Sequence, residues 1–346
     1  MKIFNLINDD KIWQLIFLGI KFTKNKSPKK NPTYSMYDTR FFDTFRTVGK
    51  LSLDEKIWYI SQNIYNSIGY FPNIKKPKSF NEKLGWMRIN YYDPIEKLCS
   101  DKYEFKNYIK NLFGEKYVIP IIGVYEDVND IDFSKLPQKF VIKTTSNGAA
   151  IGIKIVKDKS KLDIEALKAE YNTLIQDWHK GGKEFLSPVD YKVKQRIIIE
   201  EYAEQIAGQL YDYKFFCFHG KVKFIYVAID HFPGVKSKIS LFDLNWNKLP
   251  ITYDGHPEID IDIKKPKNFN KMIELAEKAA LKFPFVRVDF YETKDSVFFG
   301  EFTFFPGCGF GKYKPIDWDY KMGEWLDLKK LPKENVYIQE GFEIND

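Results

Sequence analysis

Residues 287–307 read RVDFYETKDSVFFGEFTFFPG. This stretch contains two apolar segments separated by the polar sequence Thr293–Ser296, a pattern that predicts a β-hairpin. Each predicted strand nevertheless carries an acid, Asp289 on the first and Glu301 on the second. A hairpin centred on Asp295 places the two acids directly opposite each other, because residues equally distant from the centre are paired.

Side chains alternate between the faces of a strand, so Arg287 shares a face with Asp289. The same centre pairs Arg287 with Thr303 and puts Phe299 on the face that carries Glu301. Facing like charges destabilise a sheet by roughly 0.2–1 kcal/mol. The pair therefore requires a retained proton, a bound cation such as Mg²⁺, or relief by Arg287 at a solvent-facing position.

Composition sets the broad class of the protein. The chain has 346 residues, 44% of them hydrophobic, and a net charge of 54 − 47 = +7. A chain of this length and hydrophobic content can form a core and more than one lobe. The positive net charge suits an anionic partner, which could be a nucleotide, an acidic sugar, a phospholipid or a nucleic acid. Cys99, Cys217 and Cys308 form no paired framework, and there are four histidines. We expect a reduced, cytoplasmic protein without a zinc site.

The N-terminal region contains the most apolar segment, DKIWQLIFLGIKF at residues 10–22. It is shorter than the roughly 20 apolar residues needed to span a bilayer, and no other stretch is longer. We expect it to be a helix. Because lysines follow it at residues 21–30, it would either rest on an anionic membrane surface or dock as an ordinary helix before a solvated linker.

The remaining pattern predicts an α+β protein with mainly antiparallel strands in at least two sheets. Ser79–Glu82 is a capping box that predicts a helix from Phe80. Further helices are expected at about 53–67, 100–112, 161–179 and 269–282, with strands between 117 and 156 and again from 195. We predict three parts, a helical N-terminal segment at 1–70, a first lobe at 71–195 and a second lobe at 196–346.

One candidate site is FVIKTTSNGAAIGIKIV, residues 140–156. Its loop of small residues, Thr145–Ala150, lies between two predicted strands, and Lys143 precedes it. Backbone amides of such a loop, with the lysine, would cradle a phosphate. The alternative is an ordinary hairpin with a surface lysine. The pattern GxxxxGK[ST] is absent, so this is not a Walker A loop.

Two further segments place acids on predicted strands. QRIIIEEYAEQ ends its apolar run at Glu200, Glu201 and Tyr202, which indicates either a ligand cleft or a surface strand end. In LYDYKFFCFHG, Asp212 and Lys214 share one strand face. They would serve ribose hydroxyls and phosphate, or form a simple ion pair along the strand.

The order of these segments resembles the ATP-grasp superfamily and, more narrowly, the TupA-like ATP-grasp proteins of surface-polysaccharide gene clusters. The resemblance covers roughly residues 71–328. Its specificity comes from the number and order of the matching segments: SFNEKLGWMR, SDKYEFK, LPQKFVIK, IVKDKSKLD, RIIIEEY, DYKFFCFHGKVKFI, RVDFY and GEFTFFPGCGF.

The resemblance implies an ATP-grasp fold, in which two α+β lobes hold ATP between them, and Mg²⁺ as a second cofactor. It also implies carboxylate–amine ligase activity through an acylphosphate. By position, the residues it implies are Lys102, Lys143, Asn147 and Gly148 for the phosphates; Glu200, Glu201 and Tyr202 for the adenine hinge; Asp212 for the ribose; Asp289, Glu301 and Thr303 for Mg²⁺; and Arg287 and Lys214 for catalysis.

The sequence departs from the family pattern at several positions, and Lys106 and His231 stand where relatives often have Arg. The third metal ligand is usually Asn in Glu-x-Asn, and here it is Thr303, as in many TupA-like proteins. The phosphate loop SNGAAIG is also poorer in glycine than usual, so Asn147 and Gly148 match only loosely.

The family is linked to teichuronopeptide and capsule assembly. The resemblance therefore implies an acidic sugar, such as a uronic acid, joined to an amino acid or other amine, at the inner face of the membrane. Alternatives are a sugar kinase or phosphotransferase on the same fold, and a glycosyltransferase. The spacing Asp317-Trp-Asp319 is poor support for the last. A binding protein for nucleic acid or membrane is disfavoured by the apolar content and the acid pair.

Overall fold

The computed structural model describes residues 14–17, 20–23, 52–147, 151–180, 194–203, 211–229, 237–253, 255–293 and 296–344. The chain divides into two compact units, Met1–Asp43 and Thr44–Asp346. The loop residue Gly148 and His231 lie outside the described residues.

The first unit contains two short antiparallel strands, β1 (Gln14–Phe17) and β2 (Ile20–Thr23). The helix predicted over residues 10–22 is therefore wrong. The segments QLIF and IKFT are rich in Ile and Phe, which pack well in strands, and the helical spacing of their apolar residues misled the prediction. None of the helices in the described ranges is long and apolar enough to span a membrane.

The described α-helices lie in the second unit. The capping box predicted at Ser79–Glu82 is confirmed. The Ser79 hydroxyl accepts from the Glu82 amide, and the Ser79 amide donates to the Glu82 carboxylate. Such reciprocal bonds satisfy amides that have no partner within the helix. The helices are α1 (Leu53–Ile68), α2 (Phe80–Asn90), α3 (Pro94–Ser100), α4 (Lys102–Phe113), α5 (Ile164–Lys180), α6 (Phe269–Ala280) and α7 (Asp317–Trp325).

The first sheet has four antiparallel strands in the order β3-β6-β4-β5. They are β3 (Ile121–Tyr125), β4 (Phe140–Thr144), β5 (Ile153–Val156) and β6 (Ile197–Glu201). One face packs on α5, where Leu167 and Tyr171 are fully buried in the core. Since β6 pairs with β3 and β4, the strand that opens the predicted second lobe belongs to the sheet of the first. The lobe boundary stays a prediction, and this pairing favours a place after residue 201.

The second sheet has five antiparallel strands in the order β12-β11-β7-β8-β9. α6 covers one face, with Phe269 against Phe215 at a ring-centroid distance of 6.0 Å. The opposite face carries the charged residues of the opening hairpin. The strands are β7 (Asp212–Phe218), β8 (Lys221–Ile229), β9 (Lys238–Phe242), β11 (Phe285–Glu292) and β12 (Val297–Thr303); β10 (Thr252–Tyr253) pairs separately with β13 (Tyr313–Lys314).

The hairpin β11–β12 confirms part of the predicted register. Arg287 pairs with Thr303 as expected, but the register shifts by one residue beyond Val288, so that Phe290 pairs with Phe299. The direct pairing of Asp289 with Glu301 is therefore wrong, because an extra residue on β12 forms a bulge between the two regions of ladder.

The bulge also changes which β12 side chains share a face. Phe299 lies in the core against Phe290, at a ring-centroid distance of 4.5 Å, and not beside Glu301 as predicted. At Gly300 a Cβ atom would lie 2.9 Å from Cε2 of Tyr291. Glycine is required there because the Tyr291 ring occupies the space of a side chain.

Candidate functional site

The centre of the site is Asp289, a carboxylate that is 1% exposed and held by two cations. Arg287 donates from Nε and Nη2 to its two oxygens at 2.7 and 2.6 Å. Nζ of Lys214 donates to Asp289 at 2.7 Å and to Asp212 at 3.0 Å. The predicted ion pair between Asp212 and Lys214 is thus part of a larger cluster that spans β7 and β11. Buried carboxylates require such compensation for lost hydration.

Arg287 also connects the two acids of the hairpin. Its Nη2 lies 3.2 Å from Oε1 of Glu301, a side chain that is 37% exposed. Burial favours loss of the guanidinium charge, but Asp289 and Glu301 outweigh burial and raise the pKa of Arg287. The chain therefore tolerates two acids on this hairpin because a cation lies between them.

The pKa of Glu301 shows which other cations lie near. Partial burial raises this pKa, but the charges of Lys102, Arg287 and Lys214 together lower it below its usual range. Lys102 is the first residue of α4, in a different part of the fold from β12. Glu301 therefore lies where α4 approaches the second sheet.

The acids fit Mg²⁺ in the kind of donor that they offer, because Mg²⁺ prefers carboxylate and hydroxyl oxygens. Oδ1 of Asp212 is buried and has no hydrogen-bond partner among the described residues, so it has unused capacity for a ligand. Within the described ranges, no group of three or more His, Cys, Asp or Glu side chains is close enough to hold a metal ion. Thr303 lies opposite Arg287 on β12.

A second charged cluster lies on the first sheet around Glu200, which is 1% exposed. Lys143 on β4 contacts it at 2.6 Å and Lys106 on α4 at 2.9 Å. Burial would raise the pKa of Glu200, but Lys143 and Lys106 outweigh burial and lower it to about 2. Conversely, burial lowers the pKa of Lys106 despite the attraction of Glu200.

The sequence marks Lys106 only as a position where relatives often have Arg, although a further signal was present. It follows Lys102 by four residues, and residues at that spacing share one face of a helix. A helix that presents two lysines to a sheet with a further lysine gathers three basic side chains at that contact. The second lysine of α4 is thus a member of this cluster that a search for single motifs does not find.

The side chains of the three predicted adenine-hinge residues do not all point to one place. Glu200 turns into the lysine cluster, whereas the Glu201 side chain is exposed. Tyr202 lies beside Lys139, whose Nζ is 5.7 Å from the ring centroid. The amide of Glu201 donates to the Pro120 carbonyl at 3.0 Å. Contact of the hinge with adenine stays a prediction.

The face of the first sheet that carries Lys143 has exposed apolar residues. Val124 pairs with Ile198, and Ile198 pairs with Lys143, so the three share a face. Val124 and Ile155 are exposed on this side. An apolar sheet surface that ends at a lysine cluster suits a flat aromatic base with attached phosphates.

Lys102 contacts the small-residue loop and has charged neighbours on both sheets. Its amide donates to the Thr145 carbonyl at 2.9 Å, and its Nζ to the Asn147 carbonyl at 2.5 Å. Burial lowers the pKa of Lys102, Glu301 opposes that effect, and Lys143 adds to it. Its charged neighbours thus include a lysine of the first sheet and an acid of the second.

Tyr291 is another residue that the sequence analysis missed. It shares the face of Asp289 on β11, and its i+2 spacing from that residue was the available signal. Asp212, then burial, then Glu301, Asp289 and Glu200 raise the pKa of its hydroxyl. The acids that influence this hydroxyl therefore belong to both sheets.

Asp319, the second acid of the Asp-x-Asp spacing, has a structural environment. It is fully buried on α7, where it accepts from the Asn81 amide at 3.0 Å and from Asn81 Nδ2 at 2.8 Å. Tyr70 donates to it at 3.2 Å. These bonds attach α7 to α2 and leave no support for a nucleotide-sugar site at this residue.

Comparison with protein families gives one match. The family model described as TupA-like ATPgrasp matches residues 82–327. This range includes both charged clusters and the loop between β4 and β5. Curated proteins give no match.

Several solved structures resemble the chain at low sequence identity. The D-alanine–D-alanine ligase of Bacillus anthracis is 20% identical, with a TM-score of 0.37, over 64% of this chain and 63% of that chain. The corresponding ligase of Helicobacter pylori is 17% identical, with a TM-score of 0.41, over 74% of this chain and 70% of that chain. The chain thus spans less than two thirds of the first of these enzymes, and scores this low carry no functional argument.

Proposed function

Because the chain belongs to the TupA-like ATP-grasp family, and so has the ATP-grasp fold, we propose that it is an ATP-dependent carboxylate–amine ligase. The carboxylate of one substrate attacks the γ-phosphorus of ATP, which gives an acylphosphate and ADP. An amine then attacks the acyl carbon, an amide C–N bond forms, phosphate leaves with the electrons of the broken C–O bond, and the nitrogen loses a proton to water.

The observation that carries this proposal is the position of Lys102 between the two charged clusters. Lys106 and Lys143 both contact Glu200, and Lys102 has Lys143, Glu301 and Asp101 among its charged neighbours, so three lysines are gathered on this side of the site. The other side carries Asp289 and Glu301 with their cations. Positive charge on one side and oxygen ligands on the other suit a polyphosphate with Mg²⁺.

Each predicted binding residue has a role in this scheme. Lys102 and Lys143 bind phosphate oxygens, with the loop at Asn147 and Gly148. Glu200, Glu201 and Tyr202 form the hinge beside adenine, and Asp212 takes the ribose. Asp289, Glu301 and Thr303 would hold Mg²⁺, which supplies positive charge to the phosphate oxygens when it is bound.

Arg287 and Lys214 are the proposed catalytic residues. Both are cations on the face of the second sheet that carries Asp289. Arg287 stabilises negative charge on the phosphoryl group in transfer and on the tetrahedral intermediate, and Lys214 neutralises the phosphate that leaves. Catalysis is then mainly positioning and charge stabilisation, so it requires no Cys or His nucleophile.

The proposed substrate is an acidic sugar, such as a uronic acid of a surface polysaccharide or its precursor, coupled to an amino acid or other amine. Two observations support it: the TupA-like family match and the net charge of +7, which suits an anionic glycan. We place the reaction in the cytoplasm, at the inner face of the membrane if the precursor is lipid-linked.

The test is ADP release with Mg²⁺-ATP, a panel of uronic acids and a panel of amino acids. A ligase releases ADP and forms amide only when both substrates are present. Release without an amine, with phosphate retained on the sugar, would instead identify a kinase. If millimolar Mg²⁺-ATP does not bind, the ligase proposal and the nucleotide site are both wrong.

A further inference from the structure

α4 carries two lysines of the proposed phosphate site, and the first sheet holds this helix at two places. Towards the C-terminal end of β6, Glu200 contacts Lys106 at 2.9 Å. At the other end of the strand, Arg196 contacts the start of the helix. Attachment at two points fixes the direction of α4 as well as its distance from the sheet.

Arg196 makes the second attachment through three residues of α4 or its cap. Its Nη2 lies 3.0 Å from Oδ1 of Asp101 and 2.9 Å from Oε1 of Glu104. Its guanidinium carbon lies 4.6 Å from the centroid of the Tyr103 ring. A charged side chain held by two carboxylates and a ring has few alternative rotamers.

Asp101 links the contact with Arg196 to the N-terminal cap of α4. Its side chain is 2% exposed, and its Oδ1 accepts the amides of Tyr103 and Glu104 at 2.9 and 3.0 Å. The carboxylate thus caps α4 and neutralises Arg196 at the same time. Without Arg196, the buried carboxylate of Asp101, which directly precedes Lys102, would lose its cation.

The backbone of Arg196 binds the phosphate loop. Its amide donates to the Thr145 hydroxyl at 3.1 Å, and its carbonyl accepts from the Thr145 amide at 2.9 Å. The Thr145 carbonyl in turn accepts from the Lys102 amide at 2.9 Å. A single residue therefore connects the helix that carries Lys102 with the loop that follows Lys143.

We propose that Arg196 is a positioning residue for the phosphates of ATP, acting through Asp101 to hold Lys102 against the loop. This inference rests on the proposed function, because it requires Lys102 to bind phosphate. Loss of Arg196 frees the first turn of α4, while the contact of Lys106 with Glu200 keeps the rest of the helix docked. The affinity for ATP then falls without general unfolding.

The experiment is a double-mutant cycle on Mg²⁺-ATP affinity, measured by calorimetry on the full chain. Arg196→Met keeps the packing on Tyr103 and loses the charge, and we expect it to weaken binding about 10-fold. Arg196→Lys keeps the charge and should weaken binding about 3-fold. In a Lys102→Met background, Arg196→Met should weaken binding by less than about 2-fold further.

Lys194→Met is the matched control, because Lys194 lies two residues away and its exposed side chain pairs with Glu126. It should leave ATP affinity unchanged. If Arg196→Met does not fold, Asp101→Asn replaces it, because Asn keeps the cap and removes the charge. We expect Asp101→Asn to weaken ATP binding in the presence of Lys102 and to have little further effect in the Lys102→Met background.

Two results would overturn the inference: wild-type ATP affinity in Arg196→Met, or an equal factor of loss in the presence and absence of Lys102. An equal factor would indicate a merely structural role. Absence of ATP binding in the wild type is a separate result. It would reject the proposed function first and this inference with it.

Discussion

At the scale of single residues, the site consists of buried charges that compensate one another. Asp289 has Arg287 and Lys214, and Glu200 has Lys143 and Lys106. In both clusters the removal of one member leaves another buried charge without its partner, which costs more than the contact itself contributes. The effects of substitution should therefore depend strongly on whether the charge or the shape is changed.

Asp289→Asn keeps the shape and removes the charge, and it should lower the rate of ADP release by about 100- to 1000-fold. The metal loses a carboxylate ligand, and Arg287 loses its main counter-ion. Binding of a simple anion such as pyrophosphate without metal should be unchanged or tighter, because net positive charge increases. Turnover close to the wild-type rate would refute the metal assignment.

Glu200 gives the site a measurable dependence of stability on pH. Its pKa in the folded chain is about 2, below the ordinary 4.5, so its charged form contributes stability that is full above pH 4.5 and is lost as the pH falls through 2. The difference corresponds to about 3 kcal/mol. Urea unfolding between pH 5 and pH 2 should show this loss in the wild type and not in Glu200→Gln.

The control for that measurement is Glu126→Gln, since Glu126 pairs with Lys194 on the surface. Exposed pairs contribute little, so this variant should follow the wild type. Identical pH profiles for the wild type and Glu200→Gln would show that Glu200 is not held as a charged group.

At the scale of elements, the bulge in β12 determines which side chains face the site. The register agrees with the prediction at Arg287 and Thr303 and differs by one residue beyond Val288. Without the bulge, Glu301 and Phe299 would share a face, and one of them would lie in the wrong environment. The extra residue lets Glu301 face the cations while Phe299 stays in the core.

Gly300→Ala tests this arrangement, because the added Cβ would lie 2.9 Å from the Tyr291 ring. We expect it to lower the free energy of unfolding by about 1–3 kcal/mol, measured by urea denaturation. In a Tyr291→Ala background the ring is gone, so the same substitution should cost clearly less. If Gly300→Ala lowered the free energy of unfolding equally in both backgrounds, the strain would not come from the Tyr291 ring.

At the scale of the whole molecule, residues 44–346 form one compact unit that contains both sheets. α4 approaches both, with Lys106 at Glu200 and Lys102 near Glu301. The site is thus assembled from residues far apart in the chain. A ligand that contacts both clusters should stabilise the unit as a whole, because it binds only the folded form.

The corresponding prediction concerns thermal unfolding with Mg²⁺-ATP. Wild-type protein should show a rise in Tm that requires both Mg²⁺ and ATP, and the Asp289→Asn/Glu301→Gln double variant should lose the part that depends on Mg²⁺. At a ligand concentration 100 times Kd the stabilisation is about 2.7 kcal/mol, which is readily measured. No rise in the wild type at millimolar ATP would contradict the nucleotide site.

Sequence patterns were sufficient to predict the fold class, the two-sheet α+β organisation, the helix cap at Ser79 and the identity of the charged residues. These features depend on local patterns: alternation along a strand, capping preferences, and the order of segments that resembles an ATP-grasp family. The ion pair of Asp212 with Lys214 was foreseen as one alternative for the same reason, since i and i+2 share a strand face.

Only the folded chain shows the bulge at Gly300, the strands in place of a helix near the N-terminus, and the contacts of Lys106, Glu200, Arg196 and Tyr291. The contacts of Lys106, Glu200 and Arg196 depend on which distant segment packs against each residue, and spacing along one element does not identify that segment. The Tyr291 ring occupies the space beside Gly300, and Lys143 and Lys106 contact the buried Glu200. The sequence contains the charges, whereas packing determines which of them meet, because burial makes an unpaired charge too costly to keep.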